Sequence, residues 1–285
     1  MALFTNYATL SYNGHEINSN TVTGELLETL SATKTAAASD YSPGGDVSYV
    51  VSLVNSGTTE LSGLTLSDDL GGYEFNGTTV YPLAYQDGSI RYYVNGVPQA
   101  APALTPGAPL VVTGISVPAG GSVLLVYETA VTAFAPPTAG GSILNTVTIT
   151  GAGLAAPVTA EATLDAAEGA ALSVTKAVSP TAVAPNGELS YSFTLENRGN
   201  TAVTAGENAT LSDLFDPILS GITVTLDGAA WARGVNYSYD ETTGQFATLP
   251  GQLAIPAASY TQNTDGSYTV EPGSVTLSVS GTLQS

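Results

Sequence analysis

The two lysines of the chain, Lys34 and Lys176, each lie in a short alternating stretch of strand character. Period-2 alternation puts Lys34 on the side of Leu30 and Ala32, and Lys176 beside Leu172, Val174 and Val178. The same parity aligns Asp68 with Leu64 and Leu66, and Asp213 with Ala209 and Leu211. It aligns Asn145 with Val147 and Ile149, and Asn6 with Ala8, Leu10 and Tyr12. All six polar groups are therefore expected on core-facing sides, where an unpaired ammonium is so costly that it needs a partner or must lose its charge. Burial lowers the pKa of a lysine and raises that of a carboxyl. A neutral Lys can then attack the side-chain carbonyl of Asn while a protonated carboxyl shuttles protons. The product is an amide linking the two side chains, with loss of ammonia. A buried Lys–Asp ion pair with Asn as a hydrogen-bond donor fits the same parity, since parity gives a face and not a contact. Asn55 and Asn197 are rival amides, but each precedes a Gly by two positions, a setting that reads as a turn.

These residues must be carried by strands. Thr, Val, Ser, Leu and Tyr alternate in short runs, as in 47–53 and 189–195, and turn dipeptides interrupt them at Asn13-Gly14, Asp87-Gly88, Asn95-Gly96, Asp227-Gly228 and Asp265-Gly266. No amphipathic helix is evident. The fold class is all-β, with sandwich domains expected. An internal repeat organises the 285 residues. Thr33-Lys34 returns as Thr175-Lys176, the run from Pro43 to Tyr49 as that from Pro185 to Tyr191, and Asn55-x-Gly57 as Asn197-x-Gly199. The offsets 176 − 34, 185 − 43 and 197 − 55 all equal 142. Leu66-Ser-Asp68 then matches Leu211-Ser-Asp213, and Gly121-Ser-Val123 matches Gly273-Ser-Val275.

The pattern of Lys34, Gly45-Asp46, Tyr49, Asn55, Gly57 and Asp68, repeated as Lys176, Gly187-Glu188, Tyr191, Asn197, Gly199 and Asp213, resembles the bacterial surface-protein repeats catalogued as domain of unknown function eleven. The resemblance spans both halves. It implies Ig-like modules of long extracellular proteins, mostly of Gram-positive bacteria, and no enzymatic activity. The amide-forming chemistry above is that of Ig-like modules of Gram-positive pilins and adhesins, which these repeats resemble.

The two repeats differ in phase. The first closes with a further pair of strands at about 143–164, for which the second shows no counterpart before Ser285. The N-terminal stretch Phe4 to Tyr12, the Asn13-Gly14 turn and the run Asn20 to Leu26 align with 143–164, and each leads into the next Lys strand at similar distance (34 − 6 = 28; 176 − 145 = 31). Three segments result: an N-terminal donor hairpin or arm at 1–28, a first Ig-like sandwich at 29–165, and a second at 166–285, to be completed by the hairpin of a neighbouring subunit. A sandwich lacking two strands exposes a hydrophobic face and an unpaired edge, and strand addition would relieve both. A head-to-tail contact that does not close gives an open filament. Phe4, Asn6, Ala8, Leu10, Tyr12, Val22 and Leu26 form the expected polymerisation strands. Lys34, Asn145 and Asp68 would then cross-link within one chain, and Lys176, Asp213 and Asn6 between chains, with the aspartates as proton shuttles.

Composition narrows the function further. With 24 acidic against five basic residues the net charge is −19, so no basic patch exists to bind nucleic acid or an anionic membrane. No apolar run is long enough to span a bilayer. The absence of Cys excludes disulfides and thiolate chemistry, and one His leaves little for a zinc or His-based catalytic site. No cofactor and no metal are expected. The start lacks the basic and apolar regions of a secretory signal, which implies a leaderless or processed form. Trp231 reads as a packing residue before a sugar platform, and His15 as a solvated turn residue. The sequence reads as a self-associating structural subunit on the surface of a bacterial cell or spore, extracellular and not an enzyme. The second reading is a surface adhesin or stalk module that binds a host or carbohydrate ligand through its loops.

Overall fold

The computed structural model of the chain describes residues 2–26 and 29–284. It is all-β, and the one helical element among the described residues is a single 3-10 turn, Ala205–Glu207. No helix there is long and apolar enough to cross a membrane. Asn13-Gly14, Asn95-Gly96 and Asp227-Gly228 all take positive φ at both residues. They close two-residue hairpins that pair Tyr12 with His15, Val94 with Val97 and Leu226 with Ala229. Such turns match the right-handed twist of the flanking strands, and Asn or Asp before Gly tolerates the conformation.

The chain forms two compact units, Met1–Pro136 with Gly141–Ala166 and Pro137–Gly140 with Ala167–Ser285. The arm at the N-terminus groups with the first. There, β1 (Ala2–Asn6) pairs with β4 (Val22–Leu26), and β2 (Thr9–Tyr12) with β3 (His15–Asn18), all antiparallel. The Ser19 N–H donates to the Ala8 carbonyl at 2.8 Å between these pairs, so residues 2–26 make one long hairpin. Every residue from 4 to 23 is exposed.

The sandwich of the first unit is built from β5 (Leu30–Ala36), β6 (Asp46–Asn55), β7 (Leu61–Asp68), β8 (Leu110–Val117), β9 (Ser122–Val131), β10 (Ser142–Thr150) and β11 (Val158–Ala166). One sheet runs β5-β6-β9 and continues through Arg91–Val94 to Val97–Gln99; the other runs β8-β7-β10-β11, flanked by Ala103–Thr105 and Asp40–Tyr41. Alternate residues of both sheets, among them Tyr49, Val51, Leu53, Leu64, Leu66, Val147 and Ile149, fill the core. β11 packs across β5. The inward residues of β5, namely Leu30, Ala32, Lys34 and Ala36, are accordingly buried or half-buried.

The second unit repeats part of this plan with β12 (Leu172–Ser179), β13 (Glu188–Asn197), β14 (Ser212–Leu214), β15 (Leu219–Leu226), β16 (Gln245–Thr248) and β17 (Gly273–Leu283). Its main sheet runs β12-β13-β17-β15 to Ala229–Trp231, and β14 pairs with β16, which continues to Tyr237–Tyr239. The registers match: Leu30 faces Asn55 as Leu172 faces Asn197, and Lys34 faces Val51 as Lys176 faces Phe193. Among the described residues of this unit no strand corresponds to β10 or β11, and all of β12 is exposed. Its core is aromatic where the first is mainly aliphatic. Phe215 stacks on Tyr191 with centroids 5.0 Å apart and lies 5.6 Å from Phe246 and 5.8 Å from Tyr239.

Candidate functional site

In the first unit Lys34 and Asp68 of the predicted trio meet between the sheets, and Asn145 is buried on the same inward face as Asp68. Lys34 on β5 reaches across the sandwich, and its Nζ donates to Asp68 Oδ2 on β7 at 2.9 Å. Both side chains are 0% exposed. Asp68 Oδ2 also accepts from the Tyr127 hydroxyl on β9, and Oδ1 accepts from the Leu70 N–H at 2.9 Å. Lys34 Nζ lies 4.8 Å from the centroid of the Tyr49 ring. Burial pushes the Lys34 pKa below its ordinary 10.5, overriding the upward pull of Asp68. Asn145 follows from the register of β10 on β7. Val147 is opposite Asp68, so Asn145, two residues away, occupies the diagonal position on the same face. It is fully buried, and neither its Oδ1 nor its Nδ2 has a hydrogen-bond partner. The Tyr49 hydroxyl near it has no partner in good hydrogen-bond geometry. Burial drives the Tyr49 pKa well above 10.0, against a downward pull from the neighbouring Asn145 amide. A buried amide with at most the Tyr49 hydroxyl to bond is poorly satisfied, and this one lies on the same inward face as Asp68, the partner of Lys34.

The rival amides are satisfied. Asn55 Nδ2 donates to the carbonyls of Thr59, Val117 and Pro118 at 2.8, 3.2 and 3.1 Å, and its Oδ1 accepts from the Gly57 N–H at 2.9 Å. Asn197 repeats this with the Thr201 and Pro256 carbonyls at 2.7 and 3.2 Å and the Gly199 and Ala171 N–H groups at 2.9 and 3.0 Å. Both are buried clamps holding separate loops at a strand end, a larger role than the turn residues expected from sequence. Gly199 is required beside the clamp, since a Cβ there would collide with the Gly169 carbonyl and the Ala171 backbone.

The second unit holds the same pair in the open. Lys176 Nζ donates to Asp213 Oδ2 and lies 4.3, 5.5 and 5.6 Å from the ring centroids of Tyr191, Phe193 and Phe215. Its side chain is 39% exposed and that of Asp213 19%. Asn6, opposite Val22 in the hairpin, is exposed. The expectation that Lys176, Asp213 and Asn6 face a core is thus not met within a single chain. Alternation assigns each to an inward side, but among the described residues no strand pair covers that side. Leu172, Val174 and Val178 on β12 are consequently exposed. The edge of β14 is open as well. Leu211 and Phe215 hydrogen-bond toward β16, so the backbone groups of Ser212 and Leu214 point the other way. In the first unit the equivalent outward N–H, that of Asp69, donates to Thr146 of β10 at 3.0 Å.

Of the other hairpin residues, Phe4, Leu10, Tyr12 and Val22 are more than half exposed, and Ala8 is exposed too. Leu26 ends β4, and its side chain lies outside the described residues. Tyr127 was not singled out by sequence. Its one signal is a hydroxyl-bearing residue at an inward position of β9, in line with Val123 and Leu125. Trp231 packs half-buried against the second core, and His15 is exposed. Among the described residues no cluster of His, Asp and Glu could hold a metal ion.

No family model matches the chain, and no curated protein does. Among solved structures it is similar to BcpA, the major pilin subunit of Bacillus cereus, at 12% identity over 95% of this chain and 73% of that one, with a TM-score of 0.35. It is also similar to the pilus backbone RrgB of Streptococcus pneumoniae, at 15% identity over 85% of this chain, with a TM-score of 0.34. A collagen-binding domain from a Staphylococcus aureus adhesin matches at 12% identity over 48% of this chain and 99% of its own, with a TM-score of 0.31. The chain spans 55% of the pneumococcal protein's length.

Proposed function

We propose that the chain is the structural subunit of an extracellular bacterial filament, and that the hairpin β1–β4 of one copy completes the second unit of another. The observation that carries this reading is the uncovered β12. Its inward residues Leu172, Val174 and Val178 lie in solvent, while the equivalent residues of β5 lie beneath β11. The hairpin is the matching piece. Asn6 pairs with Val22 as Asn145 pairs with Ala162, and Phe4 pairs with Gly24 as Ile143 pairs with Leu164. Because the hairpin is already paired, docking orders little new backbone and keeps the entropic cost of association low. β11 covers β5 and then runs directly into β12 of the following unit. By the same logic β4, which runs into β5, covers the second unit of the preceding copy. Each contact joins unlike surfaces, so the assembly extends without closing. Carrying the register of β10 over to the donor sets Ala8 opposite Asp213, directs the Leu214 N–H to the Tyr7 carbonyl, and brings Asn6 to Lys176.

The same reading includes covalent links. In its neutral form Lys34 attacks Cγ of Asn145, Asp68 gives a proton to the departing amide nitrogen and takes one from the attacking nitrogen, the Cγ–Nδ2 bond breaks, and ammonia leaves. Lys176 and Asn6 react in the same way between subunits, with Asp213 as the shuttle. The buried, poorly satisfied Asn145 amide and the lowered pKa of Lys34 support this chemistry.

Purified chain should form long fibres by negative-stain microscopy, and a chain lacking residues 2–26 should form none. Fibres of equal length from the truncated chain would overturn the donor reading. In boiling detergent the fibres should give a multimer ladder that Lys176→Ala collapses and Lys34→Ala leaves in place, with intact mass one ammonia lower per bond. A monomer band at unchanged mass refutes the covalent links alone.

A further inference from the structure

We infer that the Tyr49 hydroxyl is the donor that holds the oxyanion when Lys34 attacks Asn145, and that Tyr191 takes this role between subunits. This rests on the covalent reading and deepens it by naming the group that meets the developing charge. Attack of the Lys34 nitrogen on Cγ places negative charge on Oδ1 of Asn145 before the Cγ–Nδ2 bond breaks. In a core without water that charge needs a hydrogen-bond donor. The donors around Asp68 are already committed to it: Lys34 Nζ and the Tyr127 hydroxyl to Oδ2, and the Leu70 N–H to Oδ1. The Tyr49 hydroxyl is not committed. It is buried without a partner in good hydrogen-bond geometry, and so are both polar atoms of the Asn145 amide. The two lie close enough for the amide to pull on the Tyr49 pKa. Lys34 Nζ is 4.8 Å from the centroid of the Tyr49 ring, so one side chain neighbours both reactants. Burial holds the Tyr49 pKa above its ordinary value, and the hydroxyl therefore keeps its proton across the working pH range. It lends a hydrogen bond, and no proton leaves it.

A packing role does not explain this hydroxyl. Buried polar groups are normally hydrogen-bonded, and one that is not carries a cost that phenylalanine would avoid. Between the two units the neighbouring core positions change. Val51 opposite Lys34 becomes Phe193 opposite Lys176, and Tyr127 opposite Tyr49 becomes Val279 opposite Tyr191. The tyrosine at 49 and 191 does not change. Tyr191 faces Val178 as Tyr49 faces Ala36, and Lys176 Nζ lies 4.3 Å from the centroid of its ring. The tyrosines thus divide the work. Tyr127 serves Asp68 in the first unit alone, whereas Tyr49 and Tyr191 serve a step that both sites share. A donor left unbonded in the resting state and bonded once charge develops lowers the barrier without stabilising the reactants. Reacting groups are commonly out of line at rest and tighten only as the reaction proceeds.

The test uses the full-length chain with Asn6→Ala, in which the internal bond alone can form. Refolded from denaturant, this parent should lose one ammonia per chain, followed as intact mass against time. Adding Tyr49→Phe should slow that loss about a hundredfold. The unfolding midpoint of Tyr49→Phe, compared in an Asn145→Ala background, should hold or rise, because the hydroxyl removed had no partner. Tyr127→Phe should lower it instead, since it strips a donor from Asp68. Equal rates for Tyr49→Phe and its parent overturn the inference. A midpoint that falls with Tyr49→Phe also overturns it, by placing the hydroxyl in a bond of the resting state. Tyr191→Phe is the independent arm: its fibres should grow at the wild-type rate while their ladder in boiling detergent builds about a hundredfold more slowly. A ladder that builds at the wild-type rate removes Tyr191 from the reaction and overturns the shared role. A parent chain that keeps its full mass would instead remove the covalent reading beneath the inference.

Discussion

Asp68→Ala and Asp213→Ala delete the same carboxylate from equivalent positions, and the unassembled chain should feel them very differently. The comparison is clean in an Asn145→Ala background, where no internal bond can form. Lys34 and Asp68 are 2.9 Å apart with both side chains 0% exposed. Removing one partner of such a pair costs about 3–5 kcal/mol, because the remaining charge is left in the core. The Tyr127 hydroxyl and the Leu70 N–H lose their acceptor as well, and a stranded neutral donor costs about 1–3 kcal/mol. Lys176 and Asp213 remain 39% and 19% exposed, so water replaces the lost partner and the cost should be about 0–1 kcal/mol.

The molecule supplies its own reporter for this experiment. Trp231, the only Trp, belongs to the second unit, whereas far-ultraviolet circular dichroism follows strands of both. In denaturant titrations Asp68→Ala should move the dichroism transition of the first unit to much lower concentration and leave the Trp231 transition in place. By thermal melting the first unit should lose about 10 °C or more. Asp213→Ala should shift the Trp231 transition only slightly. A loss below about 1 kcal/mol for Asp68→Ala would refute the buried-pair argument, since that is the range of solvated pairs. A large loss for Asp213→Ala in monomer would refute the claim that the second site is open.

The pH dependence of the first unit in the same Asn145→Ala background is a second test. The Lys34 pKa is lowered in the folded state, so below its ordinary 10.5 the unfolded chain binds the extra proton and stability should rise with pH as Lys34 is released from charge. Lys34→Met should flatten that rise; above 10.0 the raised pKa values of Tyr49 and Tyr127 reverse the slope, because the unfolded tyrosines ionise first. Trypsin offers a third: in the free subunit Lys176 should be cut and Lys34 spared, and assembly should protect Lys176, with mass mapping of the fragments as the readout. Equal cleavage at Lys176 in fibre and monomer would count against its coverage.

The legible parts of this fold are those set by local rules. Asn13-Gly14, Asn95-Gly96 and Asp227-Gly228 announce their turns because few other residues tolerate the backbone that such hairpins need. The constant offset of 142 reappears as identical strand registers, since a repeat that preserves alternation preserves pairing. Parity located Lys34, Asp68 and Asn145 on inward faces, all buried. It misjudged Lys176 for a reason that alternation cannot contain. A face is buried only if something lies over it, and the strand pair that covers Lys34 has no equivalent above Lys176. The clamps of Asn55 and Asn197 were read as turns because their partners, such as Val117 and Pro256, lie about sixty residues away. Tyr127 escaped notice because the comparison of repeats sets Val279 in its place, opposite Tyr191 as Tyr127 is opposite Tyr49.

The two lysine sites are best understood as one site in two degrees of completion, and the difference between them suits a filament subunit. At Lys34 the covering strands exclude water, and that exclusion lowers the pKa of the amine and buries a poorly satisfied amide on the same inward face. At Lys176 the carboxylate and the aromatic floor are already in place, but water reaches the amine and the amide is missing. In the proposed assembly the arriving hairpin supplies both at once, because the arm that carries Asn6 also carries Phe4, Ala8 and Leu10 to cover the site. A chain that has not found its neighbour then has neither the dry surroundings nor the acceptor that the reaction needs, so bond formation follows docking and cannot precede it. A docked pair made with Asn6→Ala should accordingly bury Lys176 without linking it. Fibres of that variant that resist trypsin at Lys176 yet fall to monomers in boiling detergent would separate the two contributions, and a ladder persisting without Asn6 would show that another acceptor had been overlooked.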